Sequence, residues 1–126
     1  MAQQETPAQW RKDVCAVLET ANSLLIEWKL IAGQRYDNDA TDAKMRAGEI
    51  DVVYPSEVYP FFIKYLSSDR PTGCLKNMAV PPGETCEFFF EFFGERFYGK
   101  ILLRPNRRNI VIFSAHYPEW DLLSCE

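Results

Sequence analysis

The stretch that decides the fold is "TCEFFFEFFGERFYGKILLRP", Thr85 to Pro105. From Thr85 the period is strand-like on both sides of Gly94, rich in aromatic and branched apolar residues. Gly94-Glu95 predicts a two-residue hairpin turn. With that turn Phe92 opposes Phe97, Phe90 opposes Gly99, Phe88 opposes Ile101 and Cys86 opposes Leu103. Opposed residues in an antiparallel pair share a face. This face is apolar and needs a helical cover. The other face pairs Glu87 with Leu102, Phe89 with Lys100 and Glu91 with Tyr98, and Arg104 lies further along it.

A third strand follows at "NIVIFSAHYP", Asn109 to Pro118. Its facing depends on the parity of the loop "PNRRN", because a one-residue slip exchanges the two faces. An odd loop puts Val111, Phe113, Ala115 and Tyr117 into the core, and Ser114 and His116 beside Lys100 and Tyr98. A four-residue loop buries His116 beside Phe97. Val, Phe, Ala and Tyr make the better core set, so the odd loop is expected.

Upstream the period becomes helical. Trp10, Val14, Val17, Leu18, Ala21, Leu24, Leu25, Trp28 and Ile31 form one stripe. Thr6 as N-cap, Pro7 at the first helical position and Gln9 start it, and Gly33 stops it, giving a long amphipathic helix over 6–33. Ser56 caps a second helix over 56–68. Pro60 sits in its first turn, and Val58, Phe61, Phe62, Tyr65 and Leu66 turn inward. A short helix near Ala40–Ala47 and short strands at Ile50–Tyr54 and Cys74–Met78 fill the connections. The fold expected is a single α+β domain over 1–126. N-terminal helices pack on one face of a C-terminal antiparallel sheet of three to four strands, residues 85–118.

Composition narrows the classes. The chain has 126 residues and no apolar run long enough to span a membrane. "MAQQETPAQW" shows no secretory leader. Four cysteines without a CxxC pair, and one histidine, do not make a zinc set. Reduced thiols in a cytoplasmic protein are expected, with Cys15 packed in the helix core. No cofactor motif is present. The net charge of −4 is uneven, with seven basic and eleven acidic residues before Arg70 and seven of each from Arg70 on. That balance disfavours broad nucleic-acid binding but leaves room for one local anion site.

The basic cluster Arg96, Lys100, Arg104, Arg107 and Arg108 shares its stretch with the single histidine. Histidine titrates near neutral pH and suits proton transfer. A neighbouring cation stabilises charge on a phosphate. Such groups cleave RNA without a metal. Here His116 is the acid or base, Lys100 and Arg104 are the cations, Tyr98 is a phosphate or base contact and Glu91 is the second proton-transfer group. Phe89 stacks on a nucleobase, and Arg107, Arg108 and Ser114 complete the substrate contacts. Each residue also has a plain structural role open to it: a strand-end histidine, a Lys–Phe cross-strand pair, solvated turn arginines.

"FYGKILL" and "NIVIFSAH" resemble the closing strands of RelE/MqsR-like small ribonuclease toxins of bacterial toxin–antitoxin systems. Those proteins often carry Tyr-x-Lys on one strand and Ser-x-His near the end of the next, here Tyr98, Lys100, Ser114 and His116. The likeness covers the last third of the chain. It implies an endoribonuclease acting on RNA and a cognate antitoxin as partner. The competing expectation is a small acidic binding protein without chemistry, such as an immunity protein, antitoxin-like neutraliser or phage-encoded inhibitor. It would use Asp37, Asp39, Asp42, Glu49 and Asp51 against a target protein. A ligand-binding regulatory domain is the third expectation, without a motif of its own.

Overall fold

A computed structural model describes residues 2–29, 36–49 and 53–126. The chain is α+β. In order it runs β1 (Gln4–Glu5), α1 (Ala8–Thr20), β2 (Ile26–Trp28), α2 (Tyr36–Arg46), a 3₁₀ turn (Pro55–Val58) continuing into α3 (Tyr59–Leu66), then β3 (Thr72–Ala79), β4 (Pro82–Phe92), β5 (Glu95–Leu103) and β6 (Ile110–His116). The strands form one mixed sheet of six, ordered β1-β3-β4-β5-β6-β2. Every pairing is antiparallel except β2 with β6. The sheet is larger than the three to four strands expected.

The extra strand on one edge comes from the expected long helix. α1 stops at Thr20 because three consecutive residues favour a turn. Ala21 takes a left-handed conformation, φ 49°. The Thr20 hydroxyl donates to Val17 O at 2.6 Å and accepts from Asn22 N–H at 3.2 Å. Asn22 Oδ1 accepts from Leu24 N–H at 2.9 Å, an Asx turn. The apolar residues beyond no longer continue a helical stripe. Ile26 is buried, Glu27 exposed and Trp28 half-buried, the alternation of an edge strand. Ile31 and Gly33 lie outside the described residues, as do Ile50, Asp51 and Val52 of the expected short strand.

The caps differ too. Pro7, not Thr6, is the N-cap of α1, and no side chain caps it. Thr6 is tied elsewhere, its N–H donating to Pro71 O at 3.0 Å. The α3 segment starts through Glu57, whose carboxylate accepts from Tyr54 N–H at 2.6 Å, rather than through Ser56. Glu57 also accepts from the buried Lys44 ammonium at 2.6 Å, which holds its carboxyl below the usual value and joins α2 to α3.

The apolar face of the sheet forms as expected. Phe88, Phe90, Phe92, Phe97, Ile101 and Leu103 are buried with Trp10 and Leu18 of α1 and Phe62 and Leu66 of α3. Each fully buried Phe contributes about 1.5–3 kcal/mol before the entropy of ordering. Trp10 Nε1 donates to Glu84 O at 3.0 Å and fixes α1 over β4.

The hairpin turn is Phe93-Gly94, not Gly94-Glu95. Both residues have positive φ, 49° and 80°, as a type I′ turn requires. Phe93 bears the left-handed conformation with its ring against Phe61 and Phe92, 4.9 Å to each centroid. Pairing therefore shifts by two residues: Phe90 opposes Phe97, Phe88 opposes Gly99 and Cys86 opposes Ile101. A shift of two keeps every residue on its predicted face, since the side-chain period is two.

Neither loop parity considered for "PNRRN" describes β6. Leu103 pairs with Ile110, Leu102 with Val111 and Ile101 with Ile112. That register buries Ile110 and Ile112 in the core and sends Val111 outward, against the expected core set. A β-bulge at Phe113 then inserts one residue, and pairing resumes as Lys100 with Ser114, Gly99 with Ala115 and Tyr98 with His116. Val111 and Phe113 pack with Leu102 and Met78 in a second, smaller cluster on the outer face.

Gly99 of β5 sits against the rings of Phe88 on β4 and Phe62 on α3. A Cβ there would stand 2.9 Å from Phe88 Cε2 and 3.0 Å from Phe62 Cε1. Gly99→Ala is expected to cost about 1–3 kcal/mol by overpacking. Thermal unfolding followed by circular dichroism should fall by several degrees, and an unchanged midpoint would contradict this packing.

Candidate functional site

The bulge at Phe113 turns Ser114 and His116 to the outer face, beside Lys100 and Tyr98. All four share one side of two neighbouring strands. That side is not open, as the sequence suggested. Residues 117–126 fold back across it as a strap, and Ser114 and His116 are buried. Between sheet and strap lies a cavity of about 660 Å³. It is walled by Glu87, Tyr98, Ser114 and His116 below and by Pro118 to Ser124 above.

The strap is anchored at both ends. At its start Tyr117 N–H donates to Asp39 Oδ2 at 3.1 Å, and the Tyr117 hydroxyl donates to Asp42 Oδ2 at 2.8 Å. Burial, then Asp42, pushes the Tyr117 phenol up. At its far end Cys125 is joined to Cys74 of β3 by a disulfide across 51 residues. This replaces the expected pair of reduced thiols, and a loop of that length contributes about 4 kcal/mol in the chain-entropy account. β3 brings Cys74 opposite Glu87, and so to the edge of the cavity. No sequence spacing signalled the pairing, because it depends on where the strap lies. Cys15 and Cys86 are free and buried. Cys15 packs in the helix core as expected, and burial pushes the Cys86 thiol up to about 12.

His116 Nδ1 lies 2.6 Å from Tyr117 O. A carbonyl only accepts, so Nδ1 carries the hydrogen and the neutral ring keeps its lone pair on Nε2. Nε2 is buried without a hydrogen-bond partner among the described residues, and so is the Ser114 hydroxyl. The Tyr98 ring lies 5.4 Å from the imidazole. Its hydroxyl donates to Glu87 Oε1 at 2.7 Å. The other Glu87 oxygen accepts from the Ser124 hydroxyl on the strap. Burial, then the Glu87 carboxylate, raises the Tyr98 phenol well above its ordinary value.

Glu87 is the site carboxylate that sequence reasoning missed. Glu91 was expected beside Tyr98, but the two-residue shift puts it opposite Arg96, with its carboxylate 3.7 Å from Lys64. The signal for Glu87 was its parity, which it shares with Tyr98 and Lys100.

The other expected contacts are dispersed. Arg104 pairs with Glu27 of β2 at 3.0 Å, away from the cavity. Arg107 bridges Asp13 at 2.6 Å and Glu84 at 2.9 Å, pinning the β5–β6 turn to α1 and β4 and lowering the Asp13 carboxyl. Arg108 is exposed in that turn. Phe89 is covered by the Arg96 guanidinium, 3.7 Å above its ring. Lys100 makes no ion pair among the described residues, and its ammonium lies 5.4 Å from the Phe113 ring. Of the acids assigned to a binding surface, Asp39 and Asp42 hold Tyr117 and Glu49 is exposed, while the Asp37 side chain and Asp51 lie outside the described residues.

Comparison with protein-family models, with curated proteins and with solved structures found no match. Among the described residues no three His, Cys, Asp or Glu side chains gather as a metal cage, and no helix is long and apolar enough to cross a membrane.

The raised Tyr98 phenol has a measurable consequence. In the unfolded chain it ionises near 10, while the folded chain keeps its proton. Its contribution is fully present below that pH and is lost as pH rises through the folded value. Stability from chemical denaturation should therefore decline above about pH 10, the ordinary tyrosine value, and decline less steeply in Tyr98→Phe. Equal alkaline slopes would contradict the burial of this hydroxyl.

Proposed function

We propose that the chain is an RNA-cleaving toxin whose site is Glu87, Tyr98, Lys100, Ser114 and His116. The observation that carries this is the His116 imidazole, held through Nδ1 by the Tyr117 carbonyl, its Nε2 buried without a hydrogen-bond partner among the described residues, on a cavity wall it shares with Glu87. A carboxylate and an imidazole on one cavity wall are the two proton-transfer groups that transesterification of RNA needs, without a metal. Glu87 takes the proton from the ribose 2′-OH. The 2′-oxygen attacks phosphorus, forming a 2′,3′-cyclic phosphate and breaking the bond to the 5′-oxygen. Protonated His116 delivers a proton from Nε2 to that leaving oxygen, while the Tyr117 carbonyl on Nδ1 holds the ring in place. Lys100 and Ser114 face the phosphate, and Tyr98 orients Glu87. A cognate antitoxin would cover this face, and the cytoplasm is the setting the toxin reading implies.

Purified protein, kept under reductant, is expected to cut single-stranded RNA into products ending in cyclic phosphate. Glu87→Gln and His116→Ala should each lower the rate about 10²–10⁴-fold, the usual worth of a positioned acid or base. Lys100→Ala should lower it about 10²–10³-fold, and Arg108→Ala should leave it unchanged. Expression should arrest growth, and His116→Ala should relieve the arrest. Folded protein that neither cuts RNA nor arrests growth would overturn the proposal.

One observation favours the non-catalytic binding protein as a second reading. Arg96, Arg104 and Arg107 are already engaged within the chain, while the strap exposes Trp120, between Glu119 and Asp121, and Leu122 beside it. An acidic surface with an aromatic anchor suits a basic protein partner. Binding that is lost in Trp120→Ala and indifferent to His116→Ala would select it.

A further inference from the structure

We propose that the strap of residues 117–126 is a redox-released cover, closed by the Cys74–Cys125 disulfide and opened when a dithiol reduces it. The strap and the one imidazole of the chain wall the same cavity, and His116 is 5% exposed. Among the described residues, little besides the disulfide holds its far half. Leu123 is buried, but Trp120 and Leu122 stand in solvent. The polar ties are Arg96 to Asp121 O at 3.1 Å, Ser124 to Glu87, and Gln3 to Glu126 at 3.1 Å, all of them exposed. A segment with one buried apolar side chain and exposed hydrogen bonds belongs to the low-stability end of a fold. Its near half is different, since Tyr117 is fixed to α2 through Asp39 and Asp42. The strap is thus hinged after Tyr117 and latched at Cys125.

Opening follows ordinary thiol–disulfide exchange. A thiolate of the reductant attacks one sulfur, the S–S bond breaks and the other cysteine leaves as thiolate. The second thiol of the reductant then resolves the mixed disulfide. Two electrons and two protons pass to Cys74 and Cys125, and the reductant becomes the disulfide. The latch withdraws three groups from the site together. Ser124 leaves Glu87, which frees the carboxylate oxygen it occupies. Glu119 and Asp121 leave the cavity wall, which removes two charges opposed to a phosphate. Under oxidising conditions the site is closed, and in a reducing compartment it is open. The consequence for RNA rests on the function proposed above, but the cover itself does not.

The single histidine makes the test direct. Carbethoxylation of His116 by diethyl pyrocarbonate is followed by the absorbance of the modified imidazole. It is measured on oxidised protein and on protein reduced with dithiothreitol and desalted anaerobically. Reactivity of Cys86, buried in the core, reports whether the fold has opened. The expected result is a rise of about tenfold or more in the His116 rate on reduction, the response to a modest change in opening free energy. Cys86 should stay unreactive, and Cys125→Ser and Cys74→Ser should both label fast without reductant. An unchanged rate after reduction overturns the proposal, and so does acceleration accompanied by Cys86 reactivity. Faster labelling with no RNA cleavage would sink the ribonuclease reading and leave the cover standing.

Discussion

Everything placed at the cavity depends on one irregularity in the pairing of β5 with β6. From Leu103 to Ile101 the two strands pair in one parity, and from Lys100 to Tyr98 in the other. The extra residue is Phe113. Without it Ser114 would turn toward the helices and His116 would lie against Phe97, in a core already filled by phenylalanines. With it, the strand serves two packing demands in seven residues. Ile110 and Ile112 complete the helix-facing core, while Ser114 and His116 reach the opposite side. A bulge leaves backbone groups locally unpaired and bends its strand. Here Phe113 has a compensating place against Leu102, Val111 and Met78.

The outer face then meets a second constraint, its charge. Along the rest of the chain the arginines act as ties: Arg107 joins the β5–β6 turn to α1 and β4, Arg104 joins β5 to the parallel edge strand, and Arg96 covers Phe89 and reaches the strap. Exposed pairs of this kind are worth little individually. Their effect is on geometry, because they fix the loop and edges around the site, where Lys100, the cross-strand partner of Ser114, makes no ion pair among the described residues. The strap supplies the opposite sign, bringing Glu119 and Asp121 to the cavity wall. The site is therefore electrostatically different with the strap in place and with the strap withdrawn.

Much of this was legible in the sequence, for identifiable reasons. The faces of β4 and β5 follow from period-two alternation, which survives a turn misplaced by one residue because the resulting register error is two. α3 announces itself through the inward set Val58, Phe62 and Leu66. The length of α1 was not legible from periodicity. Leu24, Leu25 and Trp28 continue a helical stripe by spacing, and the Thr20-Ala21-Asn22 turn chemistry overrides it. Glu91 was chosen over Glu87 from an inferred register, and only the Phe93-Gly94 turn separates them. The disulfide and the strap were hidden because they join positions far apart in the chain through the very sheet whose register was in question.

The most direct measurement of the central claim is the cross-strand pairing of β5 and β6 in solution, from backbone NOEs in a labelled sample. The bulged arrangement gives contacts of Ile101 with Ile112, Lys100 with Ser114 and Tyr98 with His116, with Phe113 unpaired. A regular ladder would instead continue from Ile101–Ile112 to Gly99–Ser114 and Phe97–His116. That result would return the histidine to the core and contradict the site.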